Sequence, residues 1–167
     1  MLHLLKIDNI QHVDADGTIL WEQNDVNNIF HLGGQLFVLS TTFRTSSGIV
    51  VPGSYYLGLD NRATPLLSDT LSNLSGEPTQ NGYARGGVNS INGFSIALGL
   101  DGNYRATSDV VTFSATVGSW GPVKNLFLAT SSGITGHLIS TSVLDSSRIL
   151  LSGQSLTMRI SVGLGNC

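Results

Sequence analysis

The sequence predicts an all-β protein: an antiparallel β-sandwich or jelly-roll-like barrel with a strand-rich N-terminal extension. Three observations carry that expectation. Apolar residues recur at every second position in several segments, pairs of turn-forming residues punctuate those segments, and no long stretch repeats at the helical period. Each such strand has one face to bury, and two packed antiparallel sheets bury both sets at once.

From the N-terminus, residues 1–48 read as an extension of short strands, with Asp16-Gly17 as a hairpin turn leading into Ile19-Leu20-Trp21. Within it, residues 35–43 are apolar on both faces at Leu36, Phe37 and Val38, which predicts a strand covered on both sides by a second layer or by another subunit. A boundary falls where Thr45-Ser46-Ser47-Gly48 and Val51-Pro52-Gly53-Ser54 bracket two apolar residues. The extension is too small to fold well alone, so it should extend the sheets of the 49–167 sandwich or pack on a neighbour.

In the sandwich, a strand over residues 55–59 is followed by the one candidate helix. That helix covers residues 65–74, where Leu67, Leu71 and Leu74 sit at i, i+4 and i+7. Phe94, Ile96, Leu98 and Leu100 alternate with small residues, and Val111, Phe113, Ala115 and Val117 alternate with Thr and Ser, predicting two half-buried strands. The terminal strand is the clearest, with Leu156, Met158, Ile160, Val162 and Leu164 on one face and Ser155, Thr157, Arg159 and Ser161 on the other. Gly33-Gly34, Asn81-Gly82, Asn92-Gly93, Asp101-Gly102 and Ser152-Gly153 supply the remaining tight turns.

Composition narrows the function. Charged residues make up 11% of the chain, and Ser and Thr together outnumber them. A hydroxyl surface costs less to desolvate than a charged one, which suits a subunit packed among neighbours. Eight basic against eleven acidic residues leave a net charge of −3 and no basic stripe, so nucleic acid is not an expected partner. The apolar run at Met1-Leu2-His3-Leu4-Leu5 is too short for a signal peptide, and no stretch is long enough for a membrane helix; a soluble, unprocessed chain with no membrane partner is expected. Cys167 is the only cysteine, so no intramolecular disulfide forms.

No catalytic constellation stands out, and the chain reads as non-enzymatic, with no cofactor and no metal. Asp14-Ala15-Asp16-Gly17 opens like a calcium loop, but Thr18 and Ile19 stand where further ligand and glycine are needed. His3, His12, His31 and His137 are scattered singly. Glu22, Glu77, Asp60 and Asp69 are the carboxylates a glycosidase would need, yet each has a turn-capping or ion-pair role available; Asp60 has Arg62 or Arg85 as partner. Trp21, Trp120 and the tyrosines could stack on a sugar, although Trp120 fits better as a core lid or an intersubunit anchor. With Trp21, Phe30, Phe37 and Phe43, Trp120 makes up the candidate interface set.

From Tyr55 onward several pieces follow in order: Tyr56-Leu57-Gly58-Leu59-Asp60, Leu74-Ser75-Gly76-Glu77, Asn81-Gly82-Tyr83-Ala84-Arg85, Trp120-Gly121-Pro122-Val123, Leu126-Phe127-Leu128-Ala129 and Gly136-His137-Leu138-Ile139. In these pieces, spread over about two thirds of the chain, it resembles the small β-sandwich virion proteins of tailed phages that are labelled head-decoration or tail-fibre proteins. Many of those carry Gln after the Arg, where Gly86 stands here, and the N-terminal extension lies outside the resemblance. The resemblance implies a symmetric structural subunit of a virion, with no catalytic residues to carry over. Independently of it, Gly82, Tyr83, Ala84 and Arg85 read as a constrained strand entry in which Arg85 ties a loop carboxylate such as Glu77.

The expected function is therefore that of a phage structural protein, with capsid decoration or cement favoured over a tail, fibre or carbohydrate-binding receptor module. Its expected partners are the major capsid protein or other virion subunits, plus copies of itself, with a trimer as the first guess. Its expected location is the virion, assembled in the host cytoplasm.

Overall fold

A computed structural model of the chain describes residues 6–26, 28–44, 48–99 and 102–163. Two antiparallel sheets face each other, as the alternation predicts. One runs β2 (Ile19–Val26), β1 (Lys6–Val13), β11 (Ser155–Gly163), β7 (Tyr104–Ser108), β6 (Phe94–Leu98), with β8 (Val111–Ser114) on the other half of β11. The second runs β3 (Asn28–Phe30), β10 (Leu138–Leu150), β9 (Trp120–Ala129), β4 (Ser54–Asp60), β5 (Gly86–Asn89). The turn glycines Gly17 and Gly153 adopt positive φ between β1 and β2 and between β10 and β11, a region where a Cβ would be strained.

The core lies between the sheets. Leu156, Met158 and Ile160 of β11 belong to one cluster with Leu57 and Leu59 of β4 and Leu126 and Leu128 of β9, all nearly inaccessible to solvent. A smaller cluster is built from the alternate residues Phe127, Ala129 and Leu138, packed with Leu71 and Leu74. Phe127 fits because the residue beside it is Gly58, where any Cβ would fall inside the ring.

Residues 6–44 contribute to both sheets: β1 and β2 join the first through β11, and β3 joins the second through β10. The strand expected over residues 35–43 is a helix instead, α1 (Leu32–Phe43), packed on β10. The reason is visible in its two faces. Gly34, Phe37 and Ser40 are buried, at i, i+3 and i+6, while Leu32, Leu36, Leu39 and Phe43 point outward at i, i+4, i+7 and i+11. The unbroken apolar run Leu36 to Leu39 fits a helix with apolar residues on its inner and outer faces as well as a strand apolar on both faces. Gly33-Gly34, expected as a turn, lies in its first turn, where Gly34 lets the helix axis approach the Ile139 carbonyl closer than any Cβ would permit.

The helix expected over residues 65–74 is not formed. The Asp69 carboxylate accepts the Leu66 amide at 2.8 Å, closing a turn, and only a 3₁₀ turn over Leu71–Asn73 follows. Leu67 is exposed while Leu71 is buried, so the leucines share no face. Of the alternating strands, the 111–117 segment ends as a strand at Ser114, with Val117 exposed, and Leu100 and Leu164 lie outside the described residues.

Candidate functional site

The strand-entry segment around Tyr83 and Arg85 closes one end of the sandwich as a clamp. Arg85 Nε donates to Glu77 Oε1 at 2.8 Å and Nη2 donates to Oε2 at 2.7 Å, a two-pronged ion pair with the Arg85 side chain 6% exposed. Its Nη1 donates to the Ser131 and Gly133 carbonyls, and its guanidinium lies 5.0 Å from the centre of the Phe127 ring. The Tyr83 hydroxyl donates to Glu77 Oε1 at 2.8 Å and accepts the Leu59 amide at 2.9 Å. β5 pairs with β4 only as far as Leu57, so the phenol stands in for a strand partner at Leu59. Burial, followed by the Glu77 charge, pushes the Tyr83 hydroxyl far above its usual range, and it stays protonated as a donor. Gly82 and Ala84 are exposed spacers between these anchors.

A second buried network fixes the loop after β4. Asp60 accepts the Arg62 side chain at 3.0 Å, Arg62 Nη1 also reaches Asp69 at 3.0 Å, and Asn125 Nδ2 donates to the Arg62 carbonyl at 2.7 Å. Of the two partners available to Asp60, the structure joins it to Arg62. The buried carboxylates Asp60 and Asp69 are thus bound to an arginine.

The candidate interface aromatics separate into three groups. Phe37 is buried, its ring edge-on to Tyr55 at 6.2 Å. Trp120 is 5% exposed, its indole N–H donating to the Asn81 carbonyl and its ring edge-on to Tyr83, so it serves as a core lid. Phe30 and Trp21 are half-buried: Phe30 lines a cleft between the sheets, and Trp21 is covered by the Arg148 guanidinium at 4.1 Å. Phe43 is 80% exposed and continues the outer row of α1, where Leu32, Leu36 and Leu39 are each more than half exposed.

That row is the feature the sequence reading missed. α1 carries no charged residue, and its Leu32 amide bonds the Leu67 carbonyl, which brings the exposed Leu66 and Leu67 alongside. The signal was present in the 32, 36, 39, 43 spacing. The apolar cleft beside it, about 260 Å³, opens between the sheets among Phe30, Phe37, Tyr55, Phe94 and Val162, with Ile96 at its rim. Burial raises the Tyr55 hydroxyl above its ordinary value.

The described histidines do not gather into one site. His12 bonds Gln154 and His31 bonds Thr141 Oγ1 at 2.8 Å, while His3 lies outside the described residues. Burial lowers the His31 pKa, so its ring is held neutral. Asp14 and Asp16 cap their own turn, with Asp16 accepting the Thr18 amide, a bond that also lowers its pKa. Among the described residues, no three His, Cys, Asp or Glu side chains gather as metal ligands.

No known protein-family model matches the chain, and no curated protein matches it.

Proposed function

We propose that the chain is a non-enzymatic structural subunit of a tailed-phage particle, and within that class a capsid decoration or cement protein. The observation that carries this reading is the outer face of α1. Leu32, Leu36, Leu39 and Phe43 form a continuous apolar row with Leu66 and Leu67 beside it and no charge on the helix. An apolar patch of this kind on a folded chain marks a docking site for another protein. The ordered resemblance from Tyr55 to Ile139 supports the particle context, and α1 is seated on the sandwich through Gly34 and Phe37, which leaves its outer row free for a partner.

The alternative is a tail, fibre or receptor-binding module that takes a glycan. It rests on a polar cleft of about 250 Å³ lined by Asn61, Gln80, Asn81 and Trp120. Trp120 is buried in the core, which leaves little of its ring for a sugar to stack on and favours the cement reading.

Counting copies in purified particles separates the two. Hundreds of copies per particle fit a capsid lattice, and a few dozen or fewer defeat the cement reading. Leu36→Lys with Leu39→Lys should fold normally, since both residues are exposed, and should not join the particle.

A further inference from the structure

Among the described residues, one five-residue sheet edge is left uncharged and unpaired. Ser95 and Ala97 face Thr107 and Arg105 in register, and the flanking bonds from Asp109 to Gly93 and from Gly99 to Asn103 set the alternation of the β6–β7 ladder. Odd-numbered residues of β6 therefore bond to β7, and the N–H and C=O groups of Phe94, Ile96 and Leu98 point out along the free edge. Among the described residues β6 pairs with β7 alone.

The other edges are blunted in ways this one is not. β3 has three residues, β5 and β8 have four each, the longer edge strand β2 carries Glu22, and the stretch of β10 beyond its pairing with β3 carries Asp145 and Arg148. β6 reads Phe-Ser-Ile-Ala-Leu, with no charge, no proline and no break in register. Beyond the half-buried Phe94 its apolar face is also uncovered. Ile96 is 74% exposed and Leu98 61%, with Tyr104 of the neighbouring strand at 70%.

We propose that a second copy of this chain docks here, β6 against β6, antiparallel about a two-fold axis through Ile96. This rests on the reading of the chain as an assembly subunit and specifies how two copies meet. In that register Ile96 faces Ile96 of the second copy and Phe94 faces Leu98 in both directions. All the outward N–H and C=O groups of those three residues are then paired, and their side chains share one apolar face. No charged side chain on β6 opposes its counterpart across the axis, and the contact is isologous, so it closes at two copies. Three residues a side fall short of the roughly 800 Å² per partner of a standard interface, so the contact is a weak, concentration-dependent one.

Sedimentation of the full-length protein across the micromolar range should show a monomer–dimer equilibrium. Ile96→Lys places two ammonium groups at the axis and should leave only monomer with an unchanged circular dichroism spectrum. Leu39→Lys on α1 should keep the dimer. As a second measurement, Ile96→Cys in a Cys167→Ser background should form a disulfide-linked dimer on mild oxidation, because directly opposed hydrogen-bonded residues have Cα atoms about 5.5 Å apart. A wild-type protein that stays monomeric and an Ile96→Cys variant that does not cross-link would overturn the proposal. So would a dimer broken by Leu39→Lys and untouched by Ile96→Lys. An Ile96→Lys monomer that still joins particles overturns nothing about assembly and confines β6 pairing to free protein, whereas a β6 dimer that joins no particle removes the assembly reading and leaves the pairing standing.

Discussion

Glu77 and Arg85 meet through two parallel hydrogen bonds of 2.8 and 2.7 Å, and the same carboxylate receives the Tyr83 hydroxyl. Removing one partner of such a pair leaves the other charge buried without compensation. Glu77→Ala is therefore expected to cost about 3–5 kcal/mol of unfolding free energy. Tyr83→Phe leaves the Leu59 amide without its acceptor and should cost about 1–3 kcal/mol. Urea titrations of the two single variants and the double variant measure both costs. The double should cost less than the sum, because the two residues share one network.

Close backbone approach makes a second prediction at Gly58 and Gly34. At Gly58 a methyl group would enter the Phe127 ring, and at Gly34 it would meet the Ile139 carbonyl. Overpacking of this kind costs about 1–3 kcal/mol. Gly58→Ala should be rescued in part by Phe127→Leu, which clears the space. Gly34→Ala has backbone opposite it and no side chain to trim, so α1 must lift from β10. Hydrogen exchange should then show faster amide exchange over residues 35–44 with the sheets unchanged.

How much of this was legible in the sequence differs from element to element. β11 was legible because Leu156, Met158 and Ile160 alternate with polar residues, and only a strand places them on one face. α1 was not, since Leu36, Phe37, Val38 and Leu39 fit both periods, and the contact of Gly34 with β10 that decides between them is tertiary. The Glu77–Arg85 pair was legible from charge and loop position, while the choice of Arg62 over Arg85 for Asp60 depends on where β9 brings Asn125. The alternation at Phe94, Ile96 and Leu98 named the apolar face of β6. It carried no information on whether the opposite layer reaches far enough to cover that face.

His31 sets a pH dependence. Burial of its ring, bonded to Thr141, lowers its pKa below the ordinary value near 6.5; the Leu66 and Leu67 backbone and the Asp69 charge favour the charged form without offsetting this, and Arg62 opposes it. Below that ordinary value the unfolded chain binds a proton that the folded chain refuses, so stability rises with pH in this window. Stability at His31 is complete above about pH 6.5 and is lost as pH falls toward the folded-state pKa. The midpoint of urea unfolding should decline from pH 7 to pH 5 in the wild type, and His31→Gln should flatten that decline.

The last prediction concerns residues 1–48. β1 lies between β2 and β11 in the first sheet, and Ile10 on β1, Val26 on β2 and Phe37 on α1 are all buried in the main core. Deleting them strips the cover from one side of Leu156, Met158 and Ile160 and leaves the whole length of β11 as an open edge. Truncating a single large core residue costs about 2–5 kcal/mol, and three such losses together reach the 5–15 kcal/mol that holds a typical domain folded. A 49–167 fragment is therefore expected to aggregate or remain unfolded when expressed alone. Co-expression with a separate 1–48 chain should restore a soluble protein with the native circular dichroism spectrum, because the missing strand and helix re-enter positions the rest of the fold leaves vacant. A 49–167 fragment that melts cooperatively by itself would show that the sandwich core closes without β1, and would assign the N-terminal residues to docking alone.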